Sequence, residues 1–344
     1  MTDANLFAQQ ASNRRRSAWL LAGFILFFAW IGFGGDLALY LQTEGTPPTA
    51  YHHLIPFIGL LVTAVAAGLC WYSWKRGADR VLWATGAWEV IEPATPEQKQ
   101  LVNVVGEMAI AAGLPRPRIW VVPDPDPNAF ATGIDPRRSS IAVTEGLLQS
   151  LNREELQGVV SHEMAHIQNL DTRLMTLLAA MVGAIALMSD GLGRMMRGGF
   201  RVGGSGSSKS SGKGGNPLAL VVLVVWLISM ILAPIVSRIL AMSISRKREF
   251  LADATGAQLT RNPMALASAL EKLAQASAPT RSITRGAAHL CIVDPAPGQL
   301  SANEGITGDV FASHPPILQR IARLRGMAYQ QAKQSAGSAG RTGA

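Results

Sequence analysis

His162-Glu163-Met164-Ala165-His166 is the stretch whose residue types and spacing most directly imply chemistry. Residues four apart share one helix face, so both imidazoles can reach a single metal ion. Glu163 sits one step round the helix, where a carboxylate can take a proton from an activated water. Asn152, with Glu155 three residues later, predicts a capped helix that carries the whole segment. The bare motif also arises by chance in unrelated chains. Paired histidines flanking a glutamate on a capped helix favour Zn²⁺, one ion per chain.

A catalytic zinc site usually has three protein ligands, so two histidines are one short. Glu249 is a candidate for the third. Asp253, four residues on, shares its helix face. A carboxylate ligand with a nearby carboxylate that orients a ligand histidine fits the way metal sites are supported. The alternative is a solvated charged face that continues from Arg246, Lys247 and Arg248.

The elements that must position these residues are unusually apolar. The 344-residue chain is 48% hydrophobic and only 16% charged, with a mean hydropathy of +0.20. That balance exceeds an average soluble domain and implies segments that never meet water. A net charge of +8 fits nucleic acid or an anionic membrane. Few aromatics and no nucleic-acid motif favour the lipid bilayer and exclude nucleic acid as the expected partner. Cys70 lies in an apolar run and Cys291 far along a polar stretch, which implies no disulfide framework and a reducing compartment.

Arg14, Arg15 and Arg16 precede an apolar run from Ser17 to Phe33, continuing past Asp36 to Leu41. A signal peptide starts similarly, but no small-residue cleavage site follows, so an anchor is expected. A second run spans Leu54 to Trp74 and ends in Trp71, Tyr72 and Trp74, where interfacial aromatics belong. Basic residues flank both outer ends of this hairpin, and the connecting loop is expected to hold Asp36 and Glu44 with no Lys or Arg. The positive-inside rule then places the N-terminus and everything after Trp74 in the cytoplasm.

A soluble stretch follows. Thr95-Pro96-Glu97-Gln98 predicts a capping box with Pro at the first helical position, and Gly113 a stop. Arg118–Val122 and Ser140–Thr144 read as strands around a Pro- and Asp-rich turn. Two more apolar runs, Leu174–Leu192 and Pro217–Val236, bracket a Gly- and Ser-rich linker at 203–215. The expected division is a transmembrane hairpin over 1–85 and a first catalytic half over 86–173. A second hairpin follows over 174–243, then a second catalytic half over 244–329 and a disordered tail over 330–344.

At this point the chain resembles the HtpX-like membrane zinc endopeptidases, relatives of the CaaX prenyl endopeptidases. The resemblance rests on HEMAH with Asn169 and Asp171, and on Glu249-Phe-Leu-Ala-Asp253. Asn128-Ala-Phe-Ala-Thr-Gly133 and Ser313-His314-Pro315-Pro316 with Arg320 add to it. It implies a mainly α membrane protein: four transmembrane helices plus a cytoplasmic α+β zincin-type (gluzincin) catalytic domain with a small sheet. It implies zinc on His162, His166 and Glu249, water activation by Glu163, and a ligand histidine oriented by Asp253. His314 and Arg320 match positions near the scissile carbonyl; without the resemblance, His314 is a turn residue before two prolines. Asn128, Ala129, Phe130, Ala131 and Thr132 resemble the edge strand that pairs with substrate, with Phe130 expected to contribute a backbone donor to that edge. An ordinary edge strand is the alternative.

The implied activity is hydrolysis of misfolded or damaged proteins, unfolded and membrane-associated, at a cell inner membrane. Processing of lipidated peptides is a second reading, and a non-catalytic scaffold or chaperone a third. Helix rise of about 1.5 Å per residue puts the zinc within roughly 12–20 Å of the membrane surface. Two zinc motifs on one side require an even number of crossings between them. Yet the 203–215 region and its flanks hold Arg194, Arg197, Arg201, Lys209 and Lys213 and no acid, which favours the cytoplasm. A topology reporter in 203–215 is expected to read as external, with reporters after Tyr329 cytoplasmic and at Glu44 external. A cytoplasmic signal from 203–215 overturns the four-crossing arrangement.

Overall fold

The computed structural model describes residues 3–43, 55–181, most of 220–229, 246–276, 280, 282–283, 290–293 and 315–339. The chain divides into two units. One comprises Met1–Ser17, Arg76–Ala180 and Leu240–Ala344; the other comprises Ala18–Lys75 and Met181–Ile239. His314, the linker at 203–215 and most of the third and fourth apolar runs lie outside the described residues.

The second unit is built on residues 18–43 of α1 (Asp3–Thr43) and residues 57–75 of α2 (Phe57–Ala84). Within them Ala8–Ala38 and Phe57–Ala84 are long and apolar enough to cross a membrane, and these are the two such spans among the described residues. The helices approach on small residues: a Cβ on Gly32 would stand 2.8 Å from Gly59 Cα. Asp36 does not fall in a connecting loop. It is buried inside α1, where its Oδ2 accepts from Gly59 N at 2.7 Å. A carboxylate between apolar helices needs such a donor.

The other unit holds a four-stranded sheet in the order β1-β2-β4-β3. The strands are β1 (Trp88–Glu89), β2 (Arg118–Val122), β3 (Ala129–Gly133) and β4 (Ser139–Thr144). β2 and β4 run parallel, while β1 on β2 and β3 on β4 are antiparallel. β3 is therefore an edge strand. Helix α3 (Pro96–Ala112) starts on Thr95, whose side chain accepts from Gln98 N, and stops at Gly113 with φ 65°. The Gln98 side chain returns to Ala94 N rather than to Thr95, so the box is displaced by one residue.

After the short α4 (Glu145–Ser150), α5 (Arg153–Gln168) carries the HExxH segment. It is followed by a helical stretch over 171–181, of which 171–180 belongs to this unit. α6 (Arg246–Thr260), α7 (Pro263–Gln275) and α8 (Ile317–Ala339) complete it. One apolar core joins α3, the sheet, α5, α7 and α8, through residues such as Val105, Ile141, Val159, Leu270 and Leu324. α8 continues past residue 330, where a disordered tail is expected. Its Ala, Gln and Lys content suits a helix even where the side chains are exposed.

The start of α5 is fixed twice. Asn152 Oδ1 accepts from Glu155 N and Glu155 Oε2 from Asn152 N, both at 2.9 Å. Glu155 also takes Lys272 Nζ and Ser268 Oγ, each at 2.7 Å, which ties α5 to α7. Burial raises the Glu155 carboxyl, but the bonds from Lys272, Ser268 and Asn152 outweigh it and hold it below its ordinary value. Asn152→Ala should lower stability by about 1 kcal/mol. Because the folded-state pKa is depressed, the contribution of Glu155 is present above the unfolded value and lost as pH falls through the folded one. Thermal melts in detergent should show Glu155→Gln clearly less stable than the parent at pH 7, with the gap closing below about pH 4. A gap that is constant with pH would mean that the Glu155 charge contributes nothing.

Candidate metal and active site

α5 turns His162, Glu163 and His166 inward, and all three are buried. The two Nε2 atoms face each other at 3.2 Å, with the rings edge to face. From α6, Glu249 brings Oε1 to 3.5 Å from His166 Nε2 and Oε2 to 3.7 Å from His162 Nε2. One ligand atom from each residue lies within 4.8 Å of the others. A tetrahedral ion with bonds of about 2.0–2.1 Å separates its ligands by roughly 3.3–3.4 Å. The donor set fits a metal ion. The fit requires α6 to lie close against α5, and Gly256 permits it: a Cβ there would stand 3.0 Å from both His162 N and Ser161 Oγ.

Each histidine is held from behind. His162 Nδ1 lies 2.9 Å from Asp253 Oδ1. His166 Nδ1 lies 3.2 Å from Asp171 Oδ2. These carboxylates orient the rings so that both Nε2 atoms point to one place. Arg320, 1% exposed, grips Asp253 through Nε at 2.9 Å and Nη2 at 2.7 Å. Its Nη1 donates to Ile292 O at 2.7 Å. The sequence-expected residues His162, Glu163, His166, Glu249, Asp253 and Arg320 thus come together in one buried cluster.

Asp171, Asn13 and Arg248 join them, and Arg248 is buried where a solvated charged face is the sequence alternative. Leu170 adopts φ 58°, an uncommon left-handed conformation for a residue with a side chain. That turn brings Asp171 back beneath His166. Asn13 Nδ2 donates to Asp171 Oδ1 at 2.7 Å and to Asn169 O at 2.9 Å. Arg248 Nη1 lies 3.7 Å from Asp171 Oδ1. Asp171 carried a local signal, five residues after His166. Asn13 carried none, because its partner is 158 positions away.

The electrostatics favour a cation. Glu163, Asp171, Glu249 and Asp253 are buried with Arg248 and Arg320, so four carboxylates face two guanidiniums. With both imidazoles neutral, as metal ligation requires, and Glu163 ionised, a divalent ion neutralises the difference. Burial opposes charge on His166, yet the Asp171 bond and the charges of Glu249, Asp171 and Glu163 raise it to about 9. His162 is lowered by burial, with Arg320 and His166 adding to the effect against Asp253. Burial would raise Asp253 as well, but Arg320 and the His162 bond hold it at about 2. Glu163 is pushed up to about 7, first by burial and then by Glu249, against the pull of His166 and Arg320. Glu163 Oε1 has no hydrogen-bond partner among the described residues.

Asn128 and the β3 residues Ala129, Phe130, Ala131 and Thr132 are all buried. Their backbone alternates. Asn128 O accepts from Thr144 N at 3.0 Å, toward β4, whereas Ala129 O accepts from Ile292 N at 2.9 Å on the outer side. Gly133 N likewise turns outward, to Thr176 Oγ1 at 3.0 Å, and Ala131 N–H faces the Glu163 carboxylate. The outward groups therefore belong to Ala129, Ala131 and Gly133. Phe130 pairs with Ala142 of β4, so its N–H belongs to the ladder and not to the free edge.

The sequence profile described as "Peptidase family M48" matches residues 95–328. The "Protease HtpX homolog" of Caldanaerobacter subterraneus subsp. tengcongensis is 39% identical over 329 residues, covering 95% of this chain and 99% of that one. The protein of the same description from Dictyoglomus turgidum is 43% identical over 321 residues, covering 93% and 95%. Among solved structures, the crystal structure of S. mikatae Ste24p matches with a TM-score of 0.44 and 16% identity, over 93% of this chain and 67% of that one.

Loss of the Asp171 carboxylate should free the His166 ring and weaken metal affinity by about 10–100-fold. Asp171→Ala is the direct test, read by competition with a metallochromic chelator. Asn13→Ala should weaken it less. Affinity unchanged in Asp171→Ala would mean that the ring is held by packing alone.

Proposed function

The chain belongs to peptidase family M48 and is a metallopeptidase; from that premise we propose that it is a membrane-embedded zinc endopeptidase of protein quality control. His162, His166 and Glu249 would hold the zinc. The ion, when bound, supplies Lewis acidity to the scissile carbonyl and to the attacking water. Glu163 takes the proton from that water and passes it to the leaving amine. The observation that carries this reading is the convergence of the three ligand atoms within 4.8 Å of one another, with Glu163 buried beside them and one of its carboxylate oxygens unbonded among the described residues. A carboxylate so placed can take a proton from water held by the ion.

Asp253 and Asp171 would keep the two rings in the tautomer that offers Nε2. The outward groups of β3 would bind an extended peptide through its backbone, which reads shape more than sequence. Substrates are then unfolded chains, and the two apolar spans favour those presented at a bilayer. Arg14–Arg16 and Lys75, Arg76 and Arg80 lie toward the outer ends of these spans, and the asymmetry supports a cytoplasmic catalytic part at an inner membrane. Residues 86–173 and 244–329 would together form that part.

Glu163→Gln keeps the shape of the side chain and removes the base. The variant should bind one Zn²⁺ per chain and fold normally, while hydrolysis of an unfolded, casein-type substrate falls at least 10²-fold. Elemental analysis and a peptide-release assay decide it. Loss of zinc would make Glu163 a ligand, and retained turnover would assign the base elsewhere.

A further inference from the structure

A peptide added to the outer edge of β3 would bond to the backbone of Ala129 and Ala131. Residues of the chain itself take part of that place. Cys291 pairs with Phe130 as an isolated antiparallel bridge, and Ile292 N donates to Ala129 O at 2.9 Å. The next two carbonyls are also bonded by groups of the site. Arg320 Nη1 donates to Ile292 O at 2.7 Å, and Asn128 Nδ2 donates to Val293 O at 3.1 Å. Arg320 is the guanidinium that grips Asp253 behind the His162 ring. An N–H on the edge strand, one carbonyl on a buried arginine and the next on an asparagine amide are the contacts a bound peptide would make.

We infer that residues 291–293 form an internal pseudosubstrate, which a substrate peptide must displace from β3 before it can be cut. The inference rests on the peptidase reading above and adds the regulation and ligand class of that same site. The ligand it implies is an extended segment antiparallel to β3, with an aliphatic side chain at the register of Ile292. That side chain is 1% exposed and packs within the main core. Among the described residues, the strap meets β3 through the bridge at Cys291. A second attachment lies upstream. Asp124 Oδ2 accepts from Ser282 N at 2.9 Å and Ser282 Oγ at 2.7 Å, and Asp126 accepts from Thr280 Oγ1. Departure of the strap would expose Cys291, which is 2% exposed when seated.

Cys291 provides the readout. The full chain carrying Cys70→Ser, zinc-loaded in detergent, is treated with a water-soluble maleimide. Labelling is followed with and without a peptide hydroxamate bearing two aliphatic residues, whose zinc-dependent binding is measured separately by calorimetry. Saturating hydroxamate should speed Cys291 labelling at least 10-fold. Ser282→Ala, which loosens the upstream attachment, should speed basal labelling several-fold and lower KM with kcat unchanged. Hydroxamate that binds while labelling is unchanged or slowed overturns the pseudosubstrate and leaves the peptidase reading intact. A chain that binds zinc but no hydroxamate overturns both.

Discussion

The structure depends on neutralising buried charge. Four carboxylates and two guanidiniums lie within one cluster, all nearly inaccessible to water. Isolated ions cannot be placed there; each must be paired and hydrogen-bonded. The pairings set the architecture. Asp253 needs Arg320, so α8 must reach α6. Asp171 needs Asn13 and Arg248, so the first turns of α1 must reach the end of α5. The remaining negative charge is what a metal dication satisfies. Removing one partner would leave another charge stranded, so the members of the cluster are energetically coupled.

Much of the site was legible because its signals are local. HExxH works through the i, i+4 geometry of one helix, and so does the Glu249–Asp253 pair. The α5 cap is written in Asn152 and Glu155, three residues apart. Other features were invisible for physical reasons. Asn13 reads as part of an anchor because nothing nearby marks its partner. Asp171 depends on the positive φ of Leu170, which no glycine advertises. The outward face of β3 depends on which neighbour β4 supplies, and a strand pattern alone does not say whether Phe130 or Ala131 points to the edge. The extension of α8 past 330 shows that composition with Gly and Ser is weaker evidence than a continuing run of good helix formers.

The N-terminal segment changes meaning once its partners are known. Its basic and apolar residues suffice for a membrane anchor. In the structure Gln10 Nε2 also donates to Gln168 O at 2.7 Å, and Asn13 reaches both Asn169 O and Asp171. The carbonyls at the end of a helix lack partners within it, so α1 satisfies groups that α5 leaves open. One residue of α1 is therefore a single hydrogen bond removed from a carboxylate that touches a candidate metal ligand. The anchor and the chemistry share one hydrogen-bond network, and loosening the first turns of α1 would be felt at His166.

Backbone recognition has a consequence for any peptidase that uses it. An edge strand that accepts extended chains by their amides discriminates little between side chains, and so cannot refuse an unfolded segment on sequence grounds. Selectivity must then come from competition. An occupant that belongs to the same chain competes at an effective concentration in the millimolar range, far above that of a dilute peptide in solution. A substrate held at the same membrane gains a comparable advantage and can compete on equal terms. If residues 291–293 act as such an occupant, the outcome would be decided by what the substrate adds beyond its backbone: tethering, an aliphatic side chain for the position Ile292 fills, and pairing beyond the bridge at Cys291. A folded protein offers none of the extended backbone required, and a short soluble peptide lacks the tether, so the same edge can be both permissive in sequence and restrictive in practice.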